Sequence, residues 1–347
     1  MSEQPALHAL SDPFPVVRYR LHCEVVRAIH WPEYEGSALR GLFGHGLRKV
    51  ACFTGRDECG GCPARSRCTY PAVFEPPAPQ GVGRRSGDLT PPYALAPAST
   101  SARVLEPGQV YEFDFVLMGP ARLSLPTMLL AWRRALSGAI GPVDGAAVLS
   151  GLSVFDETGA LMPLMTRADL EAGRPVPVHS AATALPASGQ VPRAVTVHWR
   201  TPVRLKRNSQ ILNESQLSAA DFLSAVARRV TEVSRFHVGR DPAVDHAALR
   251  GLAQAVELVR GGLTWTTLRR WSNRQKRHMP LSGITGSMTL TGDLSPFWPL
   301  LRLGEVLHVG GKTSFGLGCY RLDTTAREPS EPGMPAAVDN DIETAGA

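Results

Sequence analysis

The stretch VVRYRLHCEVVRAI, from Val16 to Ile29, decides the fold of the first half of the chain. Its apolar and polar residues alternate, which is the period of a half-buried β-strand. The apolar residues from Glu35 to Cys52 instead follow a helical spacing. The next elements are predicted to be strands from Pro91 and from Gln109, a helix from Leu123 to Leu136 and a strand from Ala146 to Phe155. The order is therefore β-α-β-β-α-β.

A segment rich in Pro, Ala and Gly, roughly Thr166 to Pro192, precedes a second series of elements. The predicted series is a strand from Ala194 to Leu205, helices from Ser218 to Phe236 and from His246 to Arg260, strands around Trp265 to Trp271 and Ile284 to Leu290, a helix from Pro296 to His308 and a strand from Thr313 to Leu322. Apart from one inserted helix, it repeats the first order.

Two copies of this order predict an α+β fold of two tandem ferredoxin-like, or RRM-like, modules. Each βαβ half crosses over right-handed, and its helices then cover one face of the sheet. The predicted domains are an N-terminal module over residues 1–165 with a four-cysteine insertion at about 52–68, a linker over 166–192, a C-terminal module over 193–322 with a glycine-rich loop, and a disordered acidic tail over 323–347. The free sheet faces, or the cleft between modules, are left for a ligand.

The charge of the chain is unevenly distributed. The formal net charge is +6, but six acidic residues against one arginine give residues 323–347 a charge of −5, so residues 1–322 carry +11. Such an excess favours a polyanionic partner. No apolar run approaches the roughly 18 residues of a membrane span, and the N-terminus lacks the basic and apolar regions of a signal peptide. We therefore expect a cytoplasmic protein without a membrane partner.

The segment VLHVGGKTSFGLGCY, from Val306 to Tyr320, contains Gly-Gly-Lys-Thr and so raises the possibility of a phosphate loop. That motif is G-x-x-x-x-G-K-[ST] between a strand and a helix. Here Val306 stands at the position of the first glycine, and the predicted order is a helix before the glycines and a strand after them. The pattern therefore argues against a nucleotide hydrolase.

The first predicted helix contains Gly41, Gly44 and Gly46, each of which costs about 1 kcal/mol relative to alanine. At 100° per residue Gly41 and Gly44 lie with His45 on the polar face of the helix. Small residues at this place would let a phosphate backbone approach closely. The helix is therefore a candidate for RNA contact, with a core histidine as the alternative interpretation of His45.

RNA cleavage by its own 2′-hydroxyl needs a base, an acid and cations for the phosphorane. Imidazole suits either proton role near neutral pH, and Arg or Lys stabilises the charge. We therefore predict His45, Arg48 and Lys49 to be catalytic. Tyr34, just before the helix, is a further candidate to position the RNA or to donate a proton, and packing at the helix start is the alternative.

Four cysteines fall within seventeen positions, at Cys52, Cys59, Cys62 and Cys68. The spacing C-x6-C-x2-C-x5-C can place four thiolates around one ion. In a reducing cytoplasm a metal is favoured over disulfides. A structural zinc is the first prediction and an iron-sulfur cluster the second, with four reduced thiols in a loop as the alternative.

Two basic segments contain aromatic residues. They are HWRTPVRLKRNSQ, from His198, and TWTTLRRWSNRQKRHMPLSG, from Thr264. Basic groups bind phosphates, and aromatic or guanidinium planes stack on unpaired bases. The predicted RNA-binding side chains are Arg40 of the first helix together with Arg204, Lys206, Arg207, Arg274, Lys276 and Arg277. A solvated charged surface is the alternative.

Taken together, these segments resemble the CRISPR-associated repeat-processing endoribonucleases of the RAMP superfamily. The pieces that carry the resemblance are GSALRGLFGHGLRK, CGGCPARSRCTYPAVFEPP, TPVRLKRN, WSNRQKRHMPLSGITGSMTLTGDLSPFWPLLRLGEVLHVGG and KTSFGLGCY. The resemblance implies two ferredoxin-like modules and a loop that holds the RNA backbone through Gly310, Gly311, Lys312, Gly316 and Gly318.

The resemblance also implies an activity. It is the cleavage of precursor CRISPR RNA within each repeat, without a metal, to leave a 2′,3′-cyclic phosphate and a 5′-hydroxyl. His45 stands where the family often has its general base, and His308 is a reserve candidate for the second proton-transfer group and an RNA contact. The implied partners are repeat RNA, the mature product and other proteins of an interference complex.

Two other functions remain open. The first is a non-catalytic RNA-binding RAMP subunit, in which His45 only contacts the RNA backbone. The second, a zinc-dependent hydrolase, is disfavoured because four cysteine ligands would leave no open position on the metal.

Overall fold

The computed structural model describes residues 14–77, 89–141, 143–177, 191–272 and 277–325. The helices are α1 (Glu35–Ala51), α2 (Thr69–Phe74), α3 (Leu125–Leu136), α4 (Arg167–Glu171), α5 (Ala219–Val233), α6 (His246–Leu252) and α7 (Trp298–Leu307). The strands are β1 (Val16–Arg27), β2 (Ile29–Trp31), β3 (Tyr93–Ala96), β4 (Arg103–Leu105), β5 (Val110–Met118), β6 (Ala146–Phe155), β7 (Leu161–Met165), β8 (Ala194–Val203), β9 (Lys206–Arg207), β10 (Gln210–Ile211), β11 (Glu257–Thr266), β12 (Arg269–Ser272), β13 (Arg277–Pro280), β14 (Gly283–Thr291) and β15 (Tyr320–Asp323).

The fold is α+β with antiparallel sheets. The first sheet has the strand order β3-β5-β1-β6-β7. Alternation along β1 buries Tyr19 and Leu21 under the helices, and it places Arg18 and Arg20 on the other face. α1 and α3 cover the buried face, where the ring of Phe43 stacks on Trp132 with centroids 5.0 Å apart.

The second sheet has the strand order β11-β14-β8-β15, again antiparallel throughout. α5 and α7 cover one face of it. Phe222 of α5 meets Trp199 of β8 and Tyr320 of β15 edge to face, with centroids 5.4 and 5.6 Å apart. The Tyr320 hydroxyl donates to the Leu301 carbonyl at 2.6 Å, which ties β15 to α7.

The two halves share a buried contact. Val116 and Met118, at the end of β5, lie in the same apolar cluster as the residues of α5 and α7. Thr90 of the first half donates its hydroxyl to Glu232 of α5 at 2.8 Å, and its carbonyl lies 2.7 Å from the His237 ring. This contact holds the glycine-rich loop of the second half close to α1 of the first.

Two predicted elements are wrong. The helix expected from His246 to Arg260 ends at Leu252, and β11 begins at Glu257, because the segment from Glu257 pairs with β14. The strand expected from Thr313 begins only at Tyr320. Thr313–Phe315 is a 3-10 turn because flanking residues, among them Gly316 and Gly318, have positive φ, which a strand does not accommodate.

Several predictions concern residues that lie outside the described ranges. They include about half of the linker, residues 178–190, the tail beyond residue 325, and both Arg274 and Lys276. Within the described part of the chain, every helix is too short or too polar to cross a bilayer.

Candidate nucleic-acid interface

The glycine-rich loop, residues 309–318, joins α7 to β15. Gly310, Gly316 and Gly318 have φ values of 85°, 90° and 73°. A Cβ at Gly310 would lie 2.5 Å from the Arg204 carbonyl oxygen, so the approach of this loop to β8 requires glycine. Gly310 and Gly311 are exposed, whereas Gly316 and Gly318 are buried.

Three of the glycine amides of the loop already donate hydrogen bonds within the chain. Gly311 donates to the Arg204 carbonyl at 2.9 Å, Gly316 to Thr313 at 2.8 Å and Gly318 to the carbonyl of Pro202 at 2.9 Å. The prediction that Gly316 and Gly318 bind phosphate is therefore wrong for this conformation. Those two glycines shape the loop, and its exposed part presents Gly310, Gly311 and the Lys312 side chain.

A cationic cluster surrounds the ring of Phe315 in this loop. The guanidinium carbons of Arg40 and Arg270 lie 4.4 and 4.7 Å from the ring centroid, and the ammonium nitrogen of Lys312 lies 5.7 Å away. Nε of Arg40 also donates to the Ser314 hydroxyl at 3.4 Å. We call Arg40, Arg270 and Lys312, with the Phe315 ring between them, the Phe315 cluster.

The Phe315 cluster is electrostatically unbalanced. Desolvation, followed by repulsion from Arg270, Arg40, Arg204 and Lys206, lowers the pKa of Lys312. Within the described ranges, no carboxylate forms an ion pair with any of these five cations. A cavity of about 290 Å³ beside Lys312 is lined in part by Arg204 and Lys206. An anion placed here would relieve the repulsion.

The other predicted RNA-binding arginines of this half differ in their surroundings. Nη1 of Arg204 donates to the carbonyls of Pro280 and Ser282 at 3.1 and 3.0 Å, which fixes it beside the loop. Arg207 is paired with Asp221 at the start of α5. Arg277 is exposed on β13. Arg204 is thus brought to the Phe315 cluster, whereas Arg207 is held by its own partner.

His45 is exposed on α1. Together with Lys49, one turn further on, it lines a cavity of about 470 Å³ between α1 and the C-terminal end of α3. Arg134 lines the same cavity from α3. Arg48 points elsewhere, because its guanidinium donates to the Arg56 carbonyl. The structure therefore groups His45 and Lys49 with Arg134, a residue that the sequence interpretation missed, and separates Arg48 from them.

The glycines of α1 have a packing role. A Cβ at Gly44 would overlap the Phe74 ring of α2, and one at Gly46 would overlap the backbone of Ala131 in α3. The interpretation that Gly44 admits a phosphate backbone is therefore wrong. Of the three glycines of α1, only Gly41 has no described neighbouring atom within 4 Å of the position that a Cβ would take.

Tyr34 and His308 are both buried, which for Tyr34 agrees with the alternative of packing at the helix start. The Tyr34 hydroxyl donates to the Phe315 carbonyl at 2.9 Å, and burial raises the pKa of this phenol well above its ordinary value. His308 is 2% exposed, and burial, with repulsion from nearby arginines, lowers the pKa of its imidazole to about 3. Neither side chain reaches an RNA on the surface. Tyr34 instead fastens the glycine-rich loop to α1.

The four clustered cysteines lie between α1 and α2 and line one small cavity as free thiols. The Thr54 hydroxyl lies 3.7 Å from the sulfur of Cys52 and 3.5 Å from that of Cys62. Across the residues that the structure covers, no three His, Cys, Asp or Glu side chains form a group that could hold a metal ion. The structure therefore does not support the predicted zinc or iron-sulfur site.

Two family models match the chain. Residues 197–320 match the model of the CRISPR-associated endoribonuclease Cas6, and residues 14–176 match the AF_1859 N-terminal domain. None of the curated proteins matches the sequence.

The fold also resembles solved structures. One is a chain of a partial Cas6-RT-Cas1–Cas2 complex, with a TM-score of 0.54 and 15% identity over 90% of this chain and 47% of that chain. Another is Cas6 of Thermus thermophilus in a product complex, with a TM-score of 0.51 and 16% identity over 89% of this chain and 98% of that chain. The present chain spans about half the length of the first structure. At these identities the likeness shows the fold alone.

Proposed function

We propose that this chain, whose residues 197–320 match the model of the CRISPR-associated endoribonuclease Cas6, cleaves precursor CRISPR RNA within its repeats. The reaction is attack by the RNA 2′-hydroxyl on the adjacent phosphate, without a metal, to give a 2′,3′-cyclic phosphate and a 5′-hydroxyl. The observation that carries the proposal is the unpaired cationic cluster around Phe315 on the same side of α1 as the glycine-rich loop, with an exposed histidine further along that helix.

The strand orders support two tandem ferredoxin-like modules. Numbered within each half of the chain, the four main strands have the order 2-3-1-4 in both sheets. Each half also has a long helix, α1 or α5, followed by a short one, α2 or α6, after its first main strand, and a further helix, α3 or α7, before its last. We place the modules at residues 1–165 and 193–322, with the cysteine segment as an insertion between α1 and α2.

The RNA backbone binds along the positive surface from the glycine-rich loop to α1. Lys312, Arg40 and Arg270 supply phosphate contacts, and Arg204 and Lys206 extend the positive surface beside the loop. Charges without a protein partner lose less on binding than paired ones, because no existing ion pair has to be broken.

We assign the cleavage reaction to the cavity between α1 and α3. His45 removes the proton of the attacking 2′-hydroxyl, which neutral imidazole does well near pH 7. Lys49 and Arg134, at the same cavity, stabilise the negative charge that builds on the phosphorane. His45 lies five residues beyond Arg40, about 7.5 Å further along the helix axis and about 140° around it, so an RNA strand that contacts both must curve around α1.

A cleavage assay tests the function. Repeat RNA is incubated in EDTA with the wild type, with His45→Ala and with His30→Ala, a control at an exposed histidine on β2. A second RNA carries a 2′-deoxy nucleotide at the cut. We expect cutting by the wild type and by His30→Ala, and none by His45→Ala or of the deoxy RNA. Cutting that EDTA abolishes would contradict the metal-free mechanism, and undiminished cutting by His45→Ala would remove this residue from the site.

The alternative function is a non-catalytic RNA-binding RAMP subunit of a CRISPR interference complex. One observation favours it: the Phe315 cluster is formed without any contribution from His45, so RNA binding does not require the histidine. In either function the partners are repeat RNA or its product and other CRISPR proteins. A wild-type protein that binds repeat RNA and never cuts it would support this alternative.

A further inference from the structure

The ring of Phe315 has contacts that distinguish it from the other buried aromatic residues. It is 7% exposed and packs against Tyr34 and Leu317. Its exposed side is covered by Arg40, Arg270 and Lys312. A ring covered in this way cannot stack on an RNA base, as aromatic residues of RNA-binding surfaces commonly do. Its contacts indicate instead that the ring acts by positioning the three cations that lie over it.

The three cations come from distant parts of the sequence. Arg40 is on α1, Arg270 is on β12 and Lys312 is in the glycine-rich loop. Positive groups so close together repel one another, and this repulsion contributes to a lowered pKa of both Lys312 and Arg270. The negative face of an aromatic ring attracts each of them. The Phe315 ring is the feature that the three have in common.

The backbone fixes the ring in place. The Phe315 carbonyl accepts a hydrogen bond from the Tyr34 hydroxyl at 2.9 Å, and the Phe315 amide donates to Lys312 at 2.9 Å. A Cβ at Gly36 would overlap the same carbonyl, so α1 approaches the loop closely only because residue 36 is glycine. The position of the ring is therefore set by contacts that do not involve the cations.

We propose that Phe315 is a positioning residue, which holds Arg40, Arg270 and Lys312 together as a seat for one phosphodiester of the RNA backbone. The inference rests on the proposed function for the identity of the polyanion, but the seat itself follows from the contacts of the ring. Without the ring the three cations remain in the chain, but they repel one another and separate.

The test combines a variant with a change in the RNA. A fully 2′-O-methylated repeat RNA, which cannot be cleaved by its own 2′-hydroxyl, is prepared with a neutral methylphosphonate at each linkage in turn. Binding is measured for the wild type, for Phe315→Leu, which keeps an apolar side chain, and for Phe315→Tyr, which keeps the aromatic face. Phe297→Leu is the matched control, because Phe297 is as deeply buried and no cation lies over its ring among the described residues.

We expect one linkage at which the methylphosphonate weakens wild-type binding but has little further effect in Phe315→Leu. Phe315→Leu itself should lower the affinity roughly tenfold, as the loss of several cation–π contacts predicts. Phe315→Tyr should show the same methylphosphonate profile as the wild type. Phe297→Leu should also keep that profile, even though its unfolding temperature falls about as much as that of Phe315→Leu. An unchanged methylphosphonate profile in folded Phe315→Leu, or equal losses in Phe315→Leu and folded Phe315→Tyr, would overturn the inference.

Calorimetric titration with tripolyphosphate separates this inference from the function. The seat predicts weaker tripolyphosphate binding to Phe315→Leu than to the wild type or Phe297→Leu. If the wild type does not bind repeat RNA but shows this difference, the proposed function fails and the seat stands. If repeat RNA binds normally and neither assay distinguishes Phe315→Leu, the seat fails and the function stands.

Discussion

At the scale of single residues, burial separates the predicted site into groups that RNA can reach and groups that it cannot. Lys312, Arg204 and His45 were found in the sequence because their residue types and clustering indicate phosphate chemistry. The sequence did not indicate that Tyr34 and His308 are buried, because both occur in segments of mixed polarity. Arg134 was missed because only the packing of α3 on α1 brings it to His45.

The buried position of Tyr34 gives a prediction. Tyr34→Phe removes the hydrogen bond to the Phe315 carbonyl and should lower the free energy of unfolding by about 1 kcal/mol. Because the hydroxyl does not reach solvent, the rate of repeat cleavage at saturating RNA should stay within a few-fold of the wild type. Single-turnover rates at two RNA concentrations check this. A loss of a hundredfold or more in a folded variant would instead assign the phenol a chemical role.

The lowered pKa of Lys312 gives a second prediction. A lysine whose pKa is lowered loses its charge at a lower pH than an ordinary lysine, so RNA binding by the wild type should weaken as the pH rises through that pKa. Lys312→Arg keeps the charge and should flatten this dependence at pH values below the ordinary lysine pKa of about 10.4. Lys206→Arg, on the neighbouring hairpin, serves as the control. Identical pH profiles for the wild type and Lys312→Arg would contradict the prediction.

At the scale of elements, periodicity predicted the long, regular segments well. The predicted strand from Ala146 to Phe155 is the observed β6, and the observed α1 ends one residue before its predicted end. The first residues of β11, Glu257 to Arg260, were predicted as helix because they belong to an exposed edge strand and pair with residues of β14 about thirty positions away. The close approach of the glycine-rich loop to α1 depends on Gly36 and the Phe315 carbonyl, and no local pattern records such a contact.

The glycines of α1 allow a matched comparison. Gly41→Ala adds a methyl group in open space and should stabilise the protein by up to about 1 kcal/mol, the difference in helix propensity. Gly44→Ala gains the same propensity but forces the Phe74 ring away, at a typical overpacking cost of 1–3 kcal/mol, so it should be neutral or destabilising. Urea unfolding measures both. Equal stabilisation by the two variants would show that α2 does not press on α1.

At the scale of the whole molecule, the fold brings the Phe315 cluster, Arg204 and Lys206 together where the glycine-rich loop meets α1, without an ion pair to a carboxylate of the described residues. Residues 1–322 carry +11, yet many arginines elsewhere are held in ion pairs, such as Arg18 with Asp114 and Arg207 with Asp221. Composition alone predicts a polyanionic partner, and the match of residues 197–320 to the Cas6 model agrees with that prediction. Composition cannot show where such a partner would bind, and our proposed location rests on the cations that the fold brings together without a carboxylate.

This distribution predicts the salt dependence of binding. Lys312→Gln should reduce the slope of log affinity against log salt by about one, because one phosphate contact is lost. Arg321→Gln removes the same charge from β15, on the sheet face away from the loop, and should leave the slope unchanged. Affinities measured at four salt concentrations decide between them. Equal slopes for the two variants would mean that only the net charge of the chain matters.

The central claim is that repeat RNA lies on the Phe315 cluster and is cut beside His45 by its own 2′-hydroxyl. The most direct measurement is mass spectrometry of the fragments that the wild type releases from repeat RNA in EDTA. The predicted result is one cut per repeat, with a 2′,3′-cyclic phosphate on the upstream fragment and a 5′-hydroxyl on the downstream one. The claim would be contradicted if the RNA stayed intact while bound to a saturating concentration of folded protein. Fragments that carry a 5′-phosphate would also contradict it.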